Sequence, residues 1–269
     1  MEAALLGCFM ISAAGFATLI AHPGSPVSSL IQDPLLRRVV MGVAMAGTLA
    51  CLVFSPWGKQ SGAHMNPSVT LTFWRLGKVA GVDACWYAIA QFVGGVGGIS
   101  LIALVAGTWV SHPSVSYVAT LPGEHGLGAA FAGEIVISSV LMFTVLSVSS
   151  SRRWARYTGL FAAALVASYI TLESPISGMS MNPARSFGPA LVGGLWQGLW
   201  IYFTAPPLGM LLGAQLYLGL CKARPVLCAK LHHHNDKRCI FRCGYAIEAE
   251  TSCPAPASNE RVSQTAGPI

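Results

Sequence analysis

Charged residues are scarce in this chain of 269 residues. They make up 10% of the sequence, whereas 54% of the residues are hydrophobic and the mean hydropathy is +0.59. Soluble globular domains usually carry about 25% charged residues. The shortage therefore excludes an ordinary soluble domain and indicates a membrane protein.

Carboxylates are rare within the apolar runs. A segment needs about 20 apolar residues to cross the bilayer core, and the predicted spans are 3–21, 37–55, 84–107, 126–148, 156–173 and 195–221. Because backbone groups in lipid must hydrogen-bond within their own segment, we expect helices rather than barrel strands. An ion-coupled secondary transporter needs carboxylates for its coupling ions, so this class is disfavoured. No cationic stretch precedes the first span, and we do not expect a cleaved signal peptide.

The basic residues between the spans fall mostly on one side of the predicted topology. Arg37 and Arg38 alone flank the other side. By the positive-inside rule, both termini are expected in the cytoplasm, with the chain in the cell (inner) membrane. The cations on the cytoplasmic side are Lys59, Arg75, Lys78, Arg152, Arg153, Arg156, Lys222, Arg224, Lys230, Lys237, Arg238 and Arg242.

One phrase occurs twice. "SGAHMNPSVT" begins at Ser61 and "SGMSMNPARS" begins at Ser177, 116 residues later. The chain thus divides into repeat one, 1–107, and repeat two, 126–221. Each repeat holds three spans, an odd number, so the second enters the membrane from the opposite face. We expect an all-α membrane protein built as an inverted repeat.

Each copy of the phrase predicts the start of a short helix. Asn is a preferred helix cap and Pro is favoured at the first helical position. Helices from Asn66 to Leu76 and from Asn182 to Val192 would each be roughly 15 Å long, half a bilayer. Two such re-entrant half-helices would meet at the midplane with their positive dipole ends facing. That centre would oppose cations and offer hydrogen-bond donors to a neutral polar solute.

The two phrases, in a six-span inverted repeat, resemble the signature loops of the aquaporins, or major intrinsic proteins, over residues 1–221. The resemblance implies six transmembrane helices with two re-entrant half-helices, a homotetramer in the lipid bilayer and no enzymatic activity. It implies that the Asn side chains donate to the passing solute. The signature positions are Asn66, Pro67, Ser68, Asn182, Pro183 and Ala184, with Ser68 where the commonest motif has Ala.

The resemblance also implies a selectivity constriction around Arg185. Counting from the two signatures places its other members at Ala46, Ile170 and Met179, where water-specific members have an aromatic residue at the first place and His at the second. Ala46 is expected to widen the constriction and Ile170 to remove a polar contact. Met179 would partly refill the space.

Three further residues are predicted to support the pore. Glu2 and Glu134 occupy matching places in the two repeats and would hold the signature loops from behind; the alternative is a role as proton carriers. His64 lies two residues before Asn66 and has two interpretations. It is either a hydrogen-bonded structural residue or a gate that responds to protonation.

Residues 222–269 form a basic tail that the resemblance does not cover. Cys228, His232, Cys239 and Cys243 could supply three thiolates and one imidazole to zinc, although the spacing matches no standard zinc pattern. The alternative is a disordered or membrane-surface tail with incidental cysteines, and from Thr251 onward the composition predicts disorder. We expect no nucleic-acid partner, because basic residues next to a span more often sense orientation or anionic lipid.

The sequence therefore predicts a passive channel for water, without covalent chemistry and with no cofactor other than the possible zinc. Within the same class, Ala46 and Ile170 leave open a channel mainly for larger neutral solutes such as glycerol, urea or boric acid. A further alternative is a metal-sensing protein whose channel is gated by its Cys/His tail.

Overall fold

Six long helices and two half-helices make up the part of the chain described by the structure, a computed structural model covering residues 1–221 and 225–245. Within these ranges there is no β-strand. The elements are α1 Glu2–Ala21, α2 Pro34–Phe54, α3 Pro67–Arg75, α4 Gly81–Ala106, α5 Gly126–Ser149, α6 Thr158–Leu172, α7 Pro183–Gly193 and α8 Leu199–Leu220. The predicted all-α fold, with α3 and α7 as the two half-helices, is confirmed.

The long helices follow the predicted spans, with shifted ends. Five of them are long and apolar enough to cross a membrane, if α6 is counted from Ala155. The sixth, α8, has 22 residues and no charged side chain, but its two prolines and a glutamine lower its mean hydropathy. Helix α2 begins three residues before the predicted span because Asp33 caps it. The Asp33 carboxylate accepts a hydrogen bond of 2.7 Å from the Leu36 amide.

Shorter helical turns connect these elements. They are Pro26–Leu30, Pro56–Ser61, Thr108–Ser111 and Ser174–Ser177, with 3-10 turns at Ser116–Val118 and Ala155–Tyr157.

Glycines bring the helices of each repeat into backbone contact. A Cβ atom added at Gly94 of α4 would lie 2.2 Å from the Ala3 carbonyl oxygen of α1. In the second repeat, a Cβ at Gly213 of α8 would lie 2.2 Å from the Ser139 carbonyl oxygen of α5. A Cβ at Gly98 would lie 2.5 Å from the Gly7 carbonyl oxygen, and one at Gly209 would lie 2.6 Å from the Ile135 carbonyl oxygen. The two helix pairs therefore pack in the same way in both repeats, through small residues four apart.

Residues 225–245, the tail segment, fold against one end of the helix bundle. The Leu231 amide donates to the Gly62 carbonyl at 3.1 Å, and the Arg242 amide donates to the Lys78 carbonyl at 3.1 Å. The Tyr245 hydroxyl donates to the Ser149 carbonyl at 2.6 Å. The part of the predicted tail from 225 to 245 is thus ordered on the bundle. Lys222, Arg224 and the predicted disordered stretch lie outside the described residues.

Candidate functional site

The two half-helices begin at asparagines that cap their own helices. The Asn66 Oδ1 atom accepts a hydrogen bond of 2.8 Å from the Ser68 amide. The Asn182 Oδ1 atom accepts from the amides of Ala184, at 3.1 Å, and Arg185, at 3.2 Å. Capping fixes the orientation of each side-chain amide, because the oxygen is held by the helix and the nitrogen must point away from it.

The two amide nitrogens cross between the repeats. Asn66 Nδ2 donates to the Met181 carbonyl at 2.6 Å, and Asn182 Nδ2 donates to the Met65 carbonyl at 2.7 Å. An amide NH₂ has two hydrogens, so each asparagine retains a second donor. Both side chains line the central cavity. The remaining donors are therefore available to a molecule in that cavity.

The loops that precede the half-helices are held in an unusual backbone conformation. Ala63 and Met65 in the first loop and Met179 and Met181 in the second have φ between +50° and +56°. Non-glycine residues adopt this left-handed region at an energetic cost, so the surroundings must stabilise it.

Two buried carboxylates provide this stabilisation. Glu2 accepts hydrogen bonds from the amides of Met65, at 2.6 Å, and His64, at 3.3 Å, and from the Ser61 hydroxyl at 2.6 Å. Glu134 does the same in the second repeat. It accepts from the amides of Met181 and Ser180, both at 2.7 Å, and from the Ser177 hydroxyl at 2.9 Å.

The donors in the two repeats are 116 positions apart, and their acceptors, Glu2 and Glu134, are 132 apart. The structure places both glutamates behind the signature loops, with their oxygens directed at loop amides.

A cavity of about 360 Å³ runs past these loops. It is lined by Ile170, Met179 and Arg185, which were predicted to form the constriction. Ala46 does not line it. The face of α2 that borders the cavity instead carries Met41, Met45 and Leu49. These residues are four apart and share one helix face, whereas Ala46 is turned about 100° from Met45. The count from the signature thus missed the helix face by one residue.

Arg185 is held by a connection that the sequence did not single out. Its Nη1 atom donates to the Val118 carbonyl at 3.0 Å and to the Thr120 hydroxyl. Both residues lie in the connection between the repeats, and Val118 has a φ of +52°. No motif marks this stretch. Arg37 and Arg38 also line the cavity, so three arginines lie around it.

Comparison with known proteins decides the family. The model of the major intrinsic protein family matches residues 2–217. The chain belongs to the major intrinsic protein family. It is an integral membrane protein that crosses the bilayer several times.

Curated relatives come from plants and archaea. The chain is 32% identical over 218 residues to aquaporin NIP6-1 of Arabidopsis thaliana, which covers 81% of this chain and 67% of that protein. It is 35% identical over 173 residues to a probable aquaporin NIP-type of Nicotiana alata, covering 64% of this chain and 62% of that relative's length. It is 34% identical over 189 residues to the probable aquaporin AqpM of Archaeoglobus fulgidus, and the match covers 68% of this chain and 76% of that protein.

Among solved structures, the aquaglyceroporin from Plasmodium falciparum shares the fold. The TM-score is 0.63 at 16% sequence identity, and the match covers 81% of this chain and 94% of that structure.

His64 connects the first half-helix of this major intrinsic protein to the tail segment. Its ring is buried, with Nδ1 3.0 Å from the Thr70 hydroxyl and Nε2 2.9 Å from the Ala229 carbonyl. A carbonyl only accepts, so Nε2 carries a hydrogen and donates it to Ala229. The Phe241 ring stacks on the imidazole, with centroids 5.4 Å apart. The structure therefore places His64 in a hydrogen-bonded structural position.

The tail segment also reaches the cavity. Residues 226–231 are all buried, and the Leu231 side chain lines the cavity at the end where His64 lies. The family match ends at residue 217, so this segment lies outside the matched residues.

Four potential metal ligands meet in the tail segment, and they differ by one from the predicted set. Cys228, Cys239 and Cys243 lie together with His233 rather than with His232. The His232 ring packs edge-on against Phe54, with centroids 4.8 Å apart. The spacing alone did not distinguish the two histidines, because they are adjacent in sequence and only the fold of the segment decides which ring faces the cysteines.

Titration in the tail reflects these contacts. The hydrogen bond with Cys228 lowers the pKa of Cys239 to about 4 and raises the pKa of Cys228. Burial lowers the pKa of His232 and of His234. The contact between the two sulfurs therefore favours the thiolate at Cys239 over the thiolate at Cys228.

Proposed function

We propose that this protein is a passive channel for water and other small neutral solutes. The observation that carries the proposal is the meeting of two capped half-helices at Asn66 and Asn182 inside one cavity. Each asparagine offers a donor that replaces a hydrogen bond of the hydrated solute. No step in this passage makes or breaks a covalent bond, so we do not propose an enzymatic activity.

The same centre opposes cations and protons. The N-termini of α3 and α7 carry the positive ends of two helix dipoles. Arg185 adds a full positive charge, and the partners of its guanidinium within residues 1–221 and 225–245 are neutral, the Val118 carbonyl and the Thr120 hydroxyl. A cation entering the cavity therefore meets positive potential twice, once at Arg185 and once at the N-termini of the two half-helices.

A second candidate is a channel mainly for larger neutral solutes such as glycerol, urea or boric acid. The supporting observation is the apolar character of the lining next to Arg185, where Ile170 and Met179 border the cavity. Flexible methionines adapt to solutes of different shape.

Stopped-flow light scattering of proteoliposomes separates the two candidates. Vesicles are first shrunk by an impermeant osmolyte, which measures water flux, and are then exposed to isosmotic gradients of glycerol, urea or boric acid. A water channel accelerates the first relaxation, whereas a solute channel accelerates re-swelling in the second. Water and solute fluxes equal to those of empty vesicles, with and without a metal chelator, would overturn the proposal.

We further propose that both termini are cytoplasmic, in the cell (inner) membrane. The support is that Lys59, Lys78 and the loop after Ser149 lie at the end covered by the tail segment, whereas Arg37 and Arg38 lie at the other. By the positive-inside rule the cationic end faces the cytoplasm. Reaction of tail cysteines with an impermeant thiol reagent only after cell lysis would agree with this orientation.

A homotetramer in the bilayer is proposed from the family resemblance. Native mass spectrometry in mild detergent tests it, with a mass of four chains expected.

A further inference from the structure

The Cys/His cluster of the tail segment has the dimensions of a tetrahedral metal site. One ligand atom from each of Cys228, His233, Cys239 and Cys243 lies within 4.8 Å of all the others. The Cys228 and Cys239 sulfurs are 3.5 Å apart, and the Cys243 sulfur is 3.8 Å from His233 Nε2.

Two of these separations, 3.5 Å and 3.8 Å, match the edges of a zinc tetrahedron. With Zn–S of about 2.3 Å and Zn–N of about 2.0 Å, the ligand atoms of a tetrahedral site lie roughly 3.5–3.8 Å apart. A disulfide would bring two sulfurs to about 2.05 Å, far closer than Cys228 and Cys239 are. Three thiolates and one imidazole are a ligand set that zinc prefers over hard cations.

Backbone and side-chain contacts support the ligands from outside. The Lys230 amide points at the Cys228 sulfur, at 3.4 Å, as amides do around metal-bound thiolates. The Lys230 side chain is buried, and its Nζ atom donates to the carbonyls of Lys237, at 3.2 Å, and Arg238, at 3.1 Å. The loop that carries His233 is therefore closed at its base. Three thiolates and a divalent ion carry a net charge of −1, which the Lys230 ammonium offsets.

The ligand-bearing loop is joined to the pore. Ala229 and Leu231 lie one and three residues after Cys228. The Ala229 carbonyl accepts the hydrogen bond from His64, and the Leu231 amide donates to Gly62 in the first signature loop. Phe241, between Cys239 and Cys243, stacks on His64. The inner mouth of the pore is the end of the cavity where His64 and Leu231 lie. Fixing the four ligands therefore fixes the residues that cover this mouth.

We propose that Cys228, His233, Cys239 and Cys243 bind one zinc-class divalent ion, and that the bound ion holds the tail segment closed over the inner mouth of the pore. The closure rests on the proposed channel function, whereas the binding does not. A segment of about 20 residues has little core of its own, so a metal supplies the cross-links that keep it folded. Loss of the ion releases Leu231 from the cavity and opens the pore.

Metal content tests the binding. The full-length protein, purified with its affinity tag removed, is expected to contain about one zinc per chain by mass spectrometry. Cys239→Ser and His233→Ala are expected to lose most of it. Cys85→Ser and His232→Ala are the matched controls and retain it, since Cys85 lies on α4 and His232 packs on Phe54. Equal zinc in His233→Ala and His232→Ala, or none in the parent, would overturn the site.

A second measurement does not depend on the folding of a variant. Parent protein stripped with a chelator is titrated with Co²⁺. Tetrahedral thiolate ligation produces intense visible d–d bands and a sulfur-to-cobalt charge-transfer band that saturate at about one equivalent. The appearance of these bands supports the site, and their absence contradicts it.

Water flux tests the closure. Proteoliposomes of the parent are measured with Zn²⁺ and after treatment with a membrane-permeant chelator. Flux is expected to rise several-fold on chelation and to fall again when Zn²⁺ is restored, whereas Cys239→Ser is open throughout. Equal flux in both states refutes the closure while leaving the channel proposal intact. A parent and a Cys239→Ser variant that are both inactive contradict the channel proposal itself.

Discussion

Replacing Glu134 with glutamine tests whether a carboxylate holds the second signature loop. Glu134 is fully buried, and its two oxygens accept three hydrogen bonds from Ser177, Ser180 and Met181. Glutamine has the same shape but only one acceptor oxygen. In its best orientation the Glu134→Gln side chain keeps the two bonds to Oε1 and directs its NH₂ at the Met181 amide, so that two donors face each other.

The expected cost follows from that mismatch. A hydrogen bond to a charged group contributes about 1.5–3 kcal/mol, and a buried donor left without a partner costs about 1–3 kcal/mol. The free energy of unfolding should fall by about 2–4 kcal/mol, with a melting temperature lower by on the order of 5–10 °C. The Met181 carbonyl accepts the crossing bond from Asn66, so a shift of Met181 disturbs the donor of the other repeat. Water permeability should fall as well.

The chain offers a matched control in Glu173. This carboxylate is also buried, but neither oxygen has a hydrogen-bond partner among the described residues. Glu173→Gln keeps the shape of the side chain and removes none of the hydrogen bonds that hold the second signature loop, so stability should stay within about 1 kcal/mol or rise. Thermal unfolding in detergent and stopped-flow water flux are measured for parent and both variants. A Glu134→Gln variant as stable and as permeable as the parent would refute the reasoning, as would equal losses in the two variants.

Three other predictions concern packing, the signature and the lining. In Gly213→Ala the new methyl group meets the Ser139 carbonyl, and stability should fall by about 1–3 kcal/mol. Gly97 has open space around it, so Gly97→Ala should not lower stability. Equal melting temperatures of the two variants would contradict the packing argument. Ser68→Ala should leave stability within about 0.5 kcal/mol and water flux unchanged, because the Ser68 hydroxyl has no protein partner in the described part of the chain; a large loss in either assay would show an unseen role. Ile170→His should slow glycerol re-swelling more than water flux, and an equal effect on both would argue against its place at the constriction.

The sequence was sufficient to locate the long helices and the half-helices, which occur in both repeats. Apolar runs of about 20 residues located the long helices, and the two Asn-Pro pairs located both half-helices, because capping and proline act within a few residues of themselves. The rotation of a helix about its own axis could not be predicted from the sequence in the same way. Ala46 and Met45 are adjacent in sequence, and which one borders the cavity depends on how α2 packs, not on its own composition.

Contacts between distant segments were the least predictable part of the site. The bonds from Arg185 to Val118 and Thr120 join a signature to a connection without any motif. Two tyrosines hold the signature loops, a role that the sequence analysis did not predict for either of them. Tyr87 donates to the Ser61 carbonyl at 2.7 Å and Tyr202 to the Ser177 carbonyl at 2.6 Å, and these pairs are themselves 115 and 116 positions apart. The repeat offset of 116 pairs Tyr87 with Phe203 rather than with Tyr202, so the two tyrosines are equivalent in contact but shifted by one residue in sequence.

The crossing bonds between the asparagines and the opposite loops have a consequence for biosynthesis. When the ribosome has completed only the first repeat, Asn66 has no Met181 carbonyl to bind, and the Met65 carbonyl has no Asn182. Unpaired polar groups in lipid cost several kcal/mol each, so the first half-helix cannot settle stably at the midplane on its own. We therefore expect its stable re-entry into the membrane to follow translation of the second signature, so that pore formation is a late step that joins the two halves at once.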